Sequence, residues 1–275
     1  MNNTKGQCPL CKTTDTLLIV KQKINSLMQC RSCGLLYRYP IPTIEYYKTL
    51  NDNVAYSWYG EFDLAHFDPA CFKKTNQYFQ IRRRLKYINR YKTTGNLLDI
   101  GCGLGLFVWE ANRCGFSAMG IDTSQKAVKW AQETLNVNSK AGRLEDMEFS
   151  AEQFDIITMW HVLEHMPDPA GTLRYLRRLI KSNGYIFVEL PNVAALEIKF
   201  KNLLSKCRLK RNPWGHFTMP EHLYEFTPAT FRRLAASANF KILDWTTLSS
   251  KPNPLWGFLC DKFKIEHKAL FVLMK

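Results

Sequence analysis

A chain of 275 residues with 46% hydrophobic content is long enough to bury a full core, and one domain with a small appendage is expected. No apolar run approaches the ~18 residues that span a bilayer, and nine cysteines, with two CxxC pairs among them, suit a reducing compartment better than a disulfide scaffold. The net charge of +14 is gathered into clusters, which points to phosphate-bearing partners such as nucleic acid, lipid headgroups or a nucleotide-linked substrate. The first residues, MNNTKGQCPLC, are polar and lack a signal peptide's apolar core, so a cytoplasmic location is expected.

Cys8-x2-Cys11 and Cys30-x2-Cys33 stand 18 residues apart, inside the window for a four-cysteine zinc site. Leu17–Val20 and Leu27–Met28 read as a small hairpin between the two knuckles. Four thiolates leave no open coordination position, so such a zinc is structural, and about forty residues need it to fold. Gly34-Leu35-Leu36-Tyr37 and Pro40-Ile41-Pro42-Thr43 follow, and then residues 44–68, dense in aromatics such as Tyr56, Trp58, Tyr59, Phe62 and Phe67. Lys73 to Lys92 carries eight basic side chains and no acid. Ile81, Leu85 and Ile88 recur there at helical spacing, which predicts a helix with its arginines turned outward to solvent.

Leu97-Leu98-Asp99-Ile100 reads as a buried parallel strand, and Gly101, Gly103 and Gly105 alternate in a tight turn after it. A helix over Leu106–Cys114 ends at Gly115, and a second strand over Ser117–Ile121 closes on Asp122. A dinucleotide fingerprint would set its third small residue at position 106, which is leucine here. Asp99, ahead of the turn, would repel a pyrophosphate but suits a ligand carrying an ammonium and a sulfonium. Asp122 is placed to accept hydrogen bonds from ribose hydroxyls.

This pattern resembles the class I S-adenosylmethionine-dependent methyltransferases, whose first motif is acid-x-G-x-G-x-G and whose second is the strand-end acid. The resemblance implies an α/β fold: a Rossmann-like, seven-stranded, mostly parallel sheet with helices on both faces and an antiparallel last strand, plus a small N-terminal zinc ribbon. It implies that Asp99, Gly101, Cys102 and Gly103 line the methionine end of the cofactor and that Asp122 and Thr123 hold the ribose. The CxxCG leader with its P-x-P-T turn and tyrosines (Tyr46, Tyr47) is similar to that of bacterial methyltransferases from sugar and polysaccharide pathways. The expected division is a ribbon over 1–43, an aromatic and basic helical linker over 44–94, and a cofactor-binding domain over 95–275.

Ser124 caps a helix through Leu135, and Lys140–Leu144 reads as a third strand ending at Glu145-Asp146. By resemblance, Leu144 and Glu145 lie against the adenine edge. Phe154–Trp160 is the fourth strand and runs into His161-x-x-Glu164-His165; Trp160 and His161 are expected to face the methyl group and its acceptor. Read alone, the histidine pair matches an inverted zinc-protease motif. That motif needs a helix, and His161 ends a strand. The stretch also resembles methyltransferases that hold a divalent ion through acid-x-x-Glu-His and a later histidine, with His161 standing where they have the first acid.

Asp168 caps and Pro169 starts a helix through Lys181, and Tyr185–Leu190 is the fifth strand. Residues 193–220 carry the second basic cluster, Lys199 to Arg211, and read as a lid-like insertion that binds substrate or contacts a membrane surface. Glu221-His222-Leu223-Tyr224-Glu225-Phe226-Thr227-Pro228 resembles the family's H-L-x-x-F-[ST]-P, with Thr227 capping a helix and Phe240–Leu248 and Ala269–Met274 as the last strands. His222 or Tyr224 would reach the acceptor pocket. A methyl transfer to a hydroxyl or activated carbon needs a base, for which His161 or His222 is the candidate. The leading expectation is a methyltransferase acting on a small molecule, either a sugar or a nucleotide- or lipid-linked intermediate. The alternatives are an RNA methyltransferase using the ribbon and basic patches, and an inactive adaptor of the same fold.

Overall fold

The computed structural model describes residues 7–21, 26–41, 66–195, 222–248 and 268–275. All but the first three residues of the expected lid, and most of the aromatic stretch, lie outside the described residues. The core is a seven-stranded sheet formed by β4 (Gly95–Ile100), β5 (Phe116–Asp122), β6 (Asn138–Ala141), β7 (Phe154–Trp160), β8 (Ile180–Pro191), β10 (Lys241–Thr246) and β11 (Lys268–Met274), in the order β10-β11-β8-β7-β4-β5-β6. The strands from β8 to β6 run parallel to their neighbours, whereas β11 is antiparallel to both β8 and β10.

The central strands are buried on both faces, which is why they read as near-continuous apolar runs. Alternate residues feed two layers. Leu98, Ile100, Ile157, Met159 and Val188 pack on one side with helices α5 (Pro169–Leu179) and α6 (Pro228–Ser237). Leu97, Ile156, Phe187 and Val272 pack on the other with α2 (Asn76–Ile88), α3 (Leu106–Arg113) and α4 (Gln125–Leu135). A single turn, α1 (Pro69–Phe72), precedes α2. The caps fall where the side chains predict: Ser124, Asp168 and Thr227 each accept a bond from a backbone N–H in the first turn of the helix that follows.

Three expectations shift. The third strand of the domain is Asn138–Ala141 and stops before a 3-10 turn over Leu144–Asp146, because Gly142 swings the chain back to bond the Asp122 carbonyl. Helix α5 ends at Leu179, two residues early. Ile180 already pairs with Phe154, so β8 begins five residues before Tyr185. The arginines of α2 are not uniformly outward: Arg84 lies against the sheet, as described below.

The cysteine ribbon is a separate small sheet of β1 (Thr16–Val20), β2 (Ser26–Cys30) and β3 (Leu36–Tyr39), all antiparallel. Its third strand pairs with β9 (Tyr224–Glu225), which precedes α6, so the ribbon sheet has a fourth strand drawn from the far end of the chain. Cys8, Cys30, Cys33, Leu35 and Tyr37 share the apolar layer of α5 and α6. No helix among the described residues is long and apolar enough to cross a membrane.

Candidate active site

Strand order reverses between β4 and β7, since β4 leads to β5 on one side and β7 adds on the other; in such sheets ligands sit beyond the strand carboxyl ends at this point. At the end of β4 the turn is tied down by Gly101 N–H and Cys102 N–H, both donating to the Ile121 carbonyl at 2.8 and 3.0 Å. Gly101 has φ +72°, and a Cβ there would lie 2.4 Å from Val162 Cγ2. The residue must be glycine on both counts. Gly103 N–H donates to Asp122 Oδ2 at 2.8 Å, and Ser124 N–H to Oδ1 at 2.9 Å, so the strand-end acid stitches the two turns together. A carboxylate has about four lone-pair sites, which leaves it acceptor capacity for a ligand. Thr123 is exposed beside it, whereas the Cys102 side chain is buried against Gly120.

Asp99 is 2% exposed, and Thr158 Oγ1 donates to its Oδ1 at 2.6 Å. Burial pushes its carboxyl up to about 7 against the pull of that hydrogen bond. Leu144 is buried and Glu145 exposed in the turn after β6, where Glu145 pairs with Arg143 at 3.1 Å.

The β7 side is built from a different chemistry. Trp160 packs on Phe107 with ring centroids 5.1 Å apart, and the Arg84 guanidinium lies 4.5 Å over its ring. Arg84 also pairs with the buried Glu189 at the end of β8. His161 follows with φ +59°, a conformation that non-glycine residues adopt at a cost of about 1–3 kcal/mol and that clusters at functional sites. Its backbone N–H donates to the Glu189 carbonyl at 3.0 Å, its Nε2 is 3.0 Å from Glu189 Oε1, and its Nδ1 is 3.4 Å from Glu164 Oε1. Burial disfavours the imidazolium, but the two carboxylates outweigh it and hold the His161 pKa above the ordinary histidine value. Burial likewise opposes charge on Glu164 and Glu189, yet His161, and for Glu189 first Arg84, keep both below the usual carboxylate range.

Glu164 is fully buried, and apart from the ion pair with His161 neither carboxylate oxygen has a hydrogen-bond partner among the described residues. One ligand atom from each of Glu164, His165 and His222 falls within 4.8 Å of the others. The His165 and His222 rings meet edge to face at 4.9 Å. His222 Nδ1 lies 3.2 Å from Glu225 Oε1. The Tyr224 hydroxyl donates to the Pro167 carbonyl at 2.9 Å, which ties β9 to the loop before α5.

The structure thus gathers Asp99, Gly101, Gly103, Asp122, Trp160 and His161 around one end of the sheet, with His222 beside the Glu164 turn. Arg84, Glu189 and Glu225 are the additions that sequence reasoning missed. Arg84 stands three residues after Ile81 and four before Ile88, on the inward stripe itself, and Glu189 is a lone acid at the carboxyl end of an apolar strand.

In the ribbon, Cys8 Sγ is 3.5 Å from Cys33 Sγ and Cys11 Sγ is 3.4 Å from Cys30 Sγ, with all four sulfurs within 4.8 Å. A tetrahedron of thiolates around zinc at ~2.3 Å has edges of about 3.8 Å, a value between the two short sulfur separations and the 4.8 Å bound on the rest. Burial pushes the Cys8 thiol up to about 11; Cys30, despite some burial, is lowered to about 7 by the Cys33 N–H and neighbouring thiols.

Comparison with known proteins agrees with this geometry. A family model described as a methyltransferase domain matches residues 72–244. A ubiquinone biosynthesis O-methyltransferase of Thiobacillus denitrificans is 29% identical over 202 residues, covering 69% of this chain and 84% of that protein. One from Coxiella burnetii is 30% identical over 185 residues, 62% of this chain and 74% of its own. Among solved structures, a S-adenosylmethionine-dependent methyltransferase from Archaeoglobus fulgidus superposes with TM-score 0.56 at 16% identity, over 81% of this chain and all of that one. The magnesium protoporphyrin IX methyltransferase of Synechocystis, solved with S-adenosylhomocysteine bound, gives TM-score 0.56 at 14% identity, over 84% of this chain and 98% of its own.

Proposed function

The chain belongs to the methyltransferase-domain family as a class I S-adenosylmethionine-dependent enzyme acting on a small molecule, and from that premise we propose that it methylates a hydroxyl oxygen, with His222 as the base. The cofactor, when bound, supplies a methyl group already activated on a sulfonium. The residues at the ends of β4 and β5 suit it: the Gly101 turn has no room for a side chain, and the buried Asp99 is a carboxyl whose ionisation a nearby cation would favour. Asp99, Gly101 and Gly103 would hold the methionine end, Asp122 and Thr123 the ribose, and Leu144 and Glu145 the base.

The observation that carries the acceptor reading is the His222–Glu225 pair at 3.2 Å. A carboxylate at Nδ1 orients the ring and fixes the tautomer that presents Nε2 as proton acceptor. His161 does a different job. Held between Glu164 and Glu189, whose carboxylates favour its charged form over the opposing effect of burial, it positions the end of β7 against two buried acids. Tyr224 anchors β9 to the Pro167 carbonyl. Arg84 and Phe107 hold Trp160, which closes the site against water. Holding donor and acceptor in line is the larger contribution, about 7–11 kcal/mol in well-oriented reactions.

The relatives named as ubiquinone biosynthesis O-methyltransferases support oxygen as the methylated atom, and the basic cluster at 199–211 supports an acceptor that carries a phosphate or a lipid-linked diphosphate. The four ribbon cysteines would hold a structural zinc. A second reading of the acceptor side is favoured by one observation, the convergence of the buried Glu164 carboxylate with His165 and His222: these three would hold a divalent cation, which would supply Lewis-acid activation of the hydroxyl.

The deciding experiment incubates the protein with methyl-labelled S-adenosylmethionine and separate acceptors: a catechol, a sugar nucleotide, a polyprenyl-linked sugar and RNA. Label transferred to a small-molecule hydroxyl, and lost in His222→Asn with cofactor affinity retained, supports the base reading. Label on RNA alone would overturn it. Metal analysis separates the two acceptor readings, because a second ion per chain that disappears in Glu164→Gln belongs to the cation reading.

A further inference from the structure

The ribbon and the acceptor side are joined by one side chain. Arg38, on β3, is 2% exposed, an unusual place for a guanidinium unless it is paired. Its Nε–H donates to the His222 carbonyl at 2.9 Å, and its backbone N–H donates to the Leu223 carbonyl at the same distance. Tyr37 and Leu36 sit opposite Tyr224 and Glu225 in the ladder. Leu223 N–H in turn donates to the Glu164 carbonyl at 2.9 Å. The positive charge of Arg38 also acts on the buried Glu225, the carboxylate that contacts His222. An unbroken run of short bonds therefore leads from the cysteine knuckles through β3 to the segment that carries His222, Glu225 and the Glu164 turn.

Resting on the reading of His222 as an acceptor-side residue, we propose that Arg38 is a positioning residue for His222 and Glu225, which makes the cysteine ribbon a wall of the acceptor site. Zinc folding is generally intrinsic to a small ribbon; here the folded ribbon also delivers Arg38 to its carbonyl. The cofactor side is tied separately: Asp99 accepts from Thr158 on β7, Gly101 donates to the Ile121 carbonyl on β5, and Asp122 accepts from the N–H groups of Gly103, Ser124 and Gly142.

The test compares wild type, Arg38→Gln and Arg38→Lys in full-length protein. Each variant is read by calorimetric S-adenosylhomocysteine affinity, zinc content, and the nitrogen-15 spectrum of the imidazoles, with the His222 signal assigned through His222→Asn. The Gln variant should bind S-adenosylhomocysteine within twofold of wild type and keep its zinc, while the His222 Nδ1–H signal moves or broadens; the Lys variant, which restores the cation, should bring the signal back. An unmoved His222 signal in the Gln variant overturns the proposal. So does a tenfold loss of S-adenosylhomocysteine affinity in both variants, since Arg38 would then support the whole fold. If the Gln variant does not fold, the wild-type spectrum decides. An Arg38 Nε–H exchanging at least a hundredfold slower than those of exposed arginines supports the bond, and exchange at the solvent rate refutes it. Failure of wild type to bind S-adenosylhomocysteine would instead strike the functional reading, which keeps the two failures apart.

Discussion

Replacing Gly101 by alanine tests the glycine turn against two separable costs. The residue has φ +72°, where a side chain costs ~1–2 kcal/mol. The added Cβ would also lie 2.4 Å from Val162 Cγ2. Relieving such an overlap by shifting a packed side chain costs about 1–3 kcal/mol, so Gly101→Ala should lose about 2–5 kcal/mol of stability in all. Val162→Ala removes the opposing methyls and costs about 1 kcal/mol alone, Val162 being half-buried. The double variant should then recover the steric share and retain only the backbone share. The assay is urea denaturation of the four proteins in a double-mutant cycle, with a coupling of about 1–3 kcal/mol expected. Additivity within ~0.5 kcal/mol, or a Gly101→Ala protein as stable as wild type, would refute the claim that the turn is shaped around the absence of a side chain.

Asp155 accepts from Lys92, Lys181 and the Asn96 N–H, and although burial pushes the other way these partners lower its pKa to about 2. A depressed carboxyl stabilises the fold above its unfolded pKa near 3.8 and loses that contribution as pH falls toward 2; Asp155→Asn should therefore cost about 2 kcal/mol at pH 7 in denaturation, with the gap from wild type closing below pH 4. Asp99, raised to about 7 by burial, should ionise when a cationic donor arrives, so S-adenosylmethionine affinity should rise with pH from 6 to about 7 and level off above; a flat profile, or the same slope in Asp99→Asn, would detach Asp99 from the donor. Arg84→Met should leave the buried acids Glu164 and Glu189 with His161 alone between them and destabilise the protein by about 3–5 kcal/mol, the usual cost of breaking a buried ion pair; thermal unfolding within a degree of wild type would show that Arg84 is replaceable. Stripping metal with a chelator should raise hydrogen exchange across 222–226 as well as in the ribbon, because β3 pairs with β9; exchange confined to residues 8–39 would contradict that coupling.

The parallel core was legible because strands buried on both faces leave no polar alternation to misread. Phe154–Trp160 was delimited residue for residue, and so was the first helix residue after each of Ser124, Asp168 and Thr227. Long-range pairing was not legible. Nothing in Leu36–Tyr39 announces that it will pair with Tyr224–Glu225, because a two-residue strand carries no periodicity. Arg84 departs from the outward expectation for a related reason: position outweighs residue type, since a guanidinium can occupy an inward stripe wherever a buried acid such as Glu189 awaits it. Strand ends moved where a glycine redirected the backbone, at Gly142 after β6, since turn geometry depends on the partner that accepts the bond. The acids of the cofactor side are marked by their place at strand ends; Glu189 and Glu225, on the acceptor side, carry no such mark, and their role appears only where His161 and His222 stand beside them.

The ends of β4 and β5 should accept an adenosyl sulfonium donor in preference to a dinucleotide. Titration calorimetry of the purified protein tests this most directly. One S-adenosylhomocysteine per chain, abolished or weakened at least tenfold in Asp122→Ala, with no heat from a nicotinamide dinucleotide, is the predicted result. Uptake of the dinucleotide without any heat from S-adenosylmethionine or S-adenosylhomocysteine would contradict it.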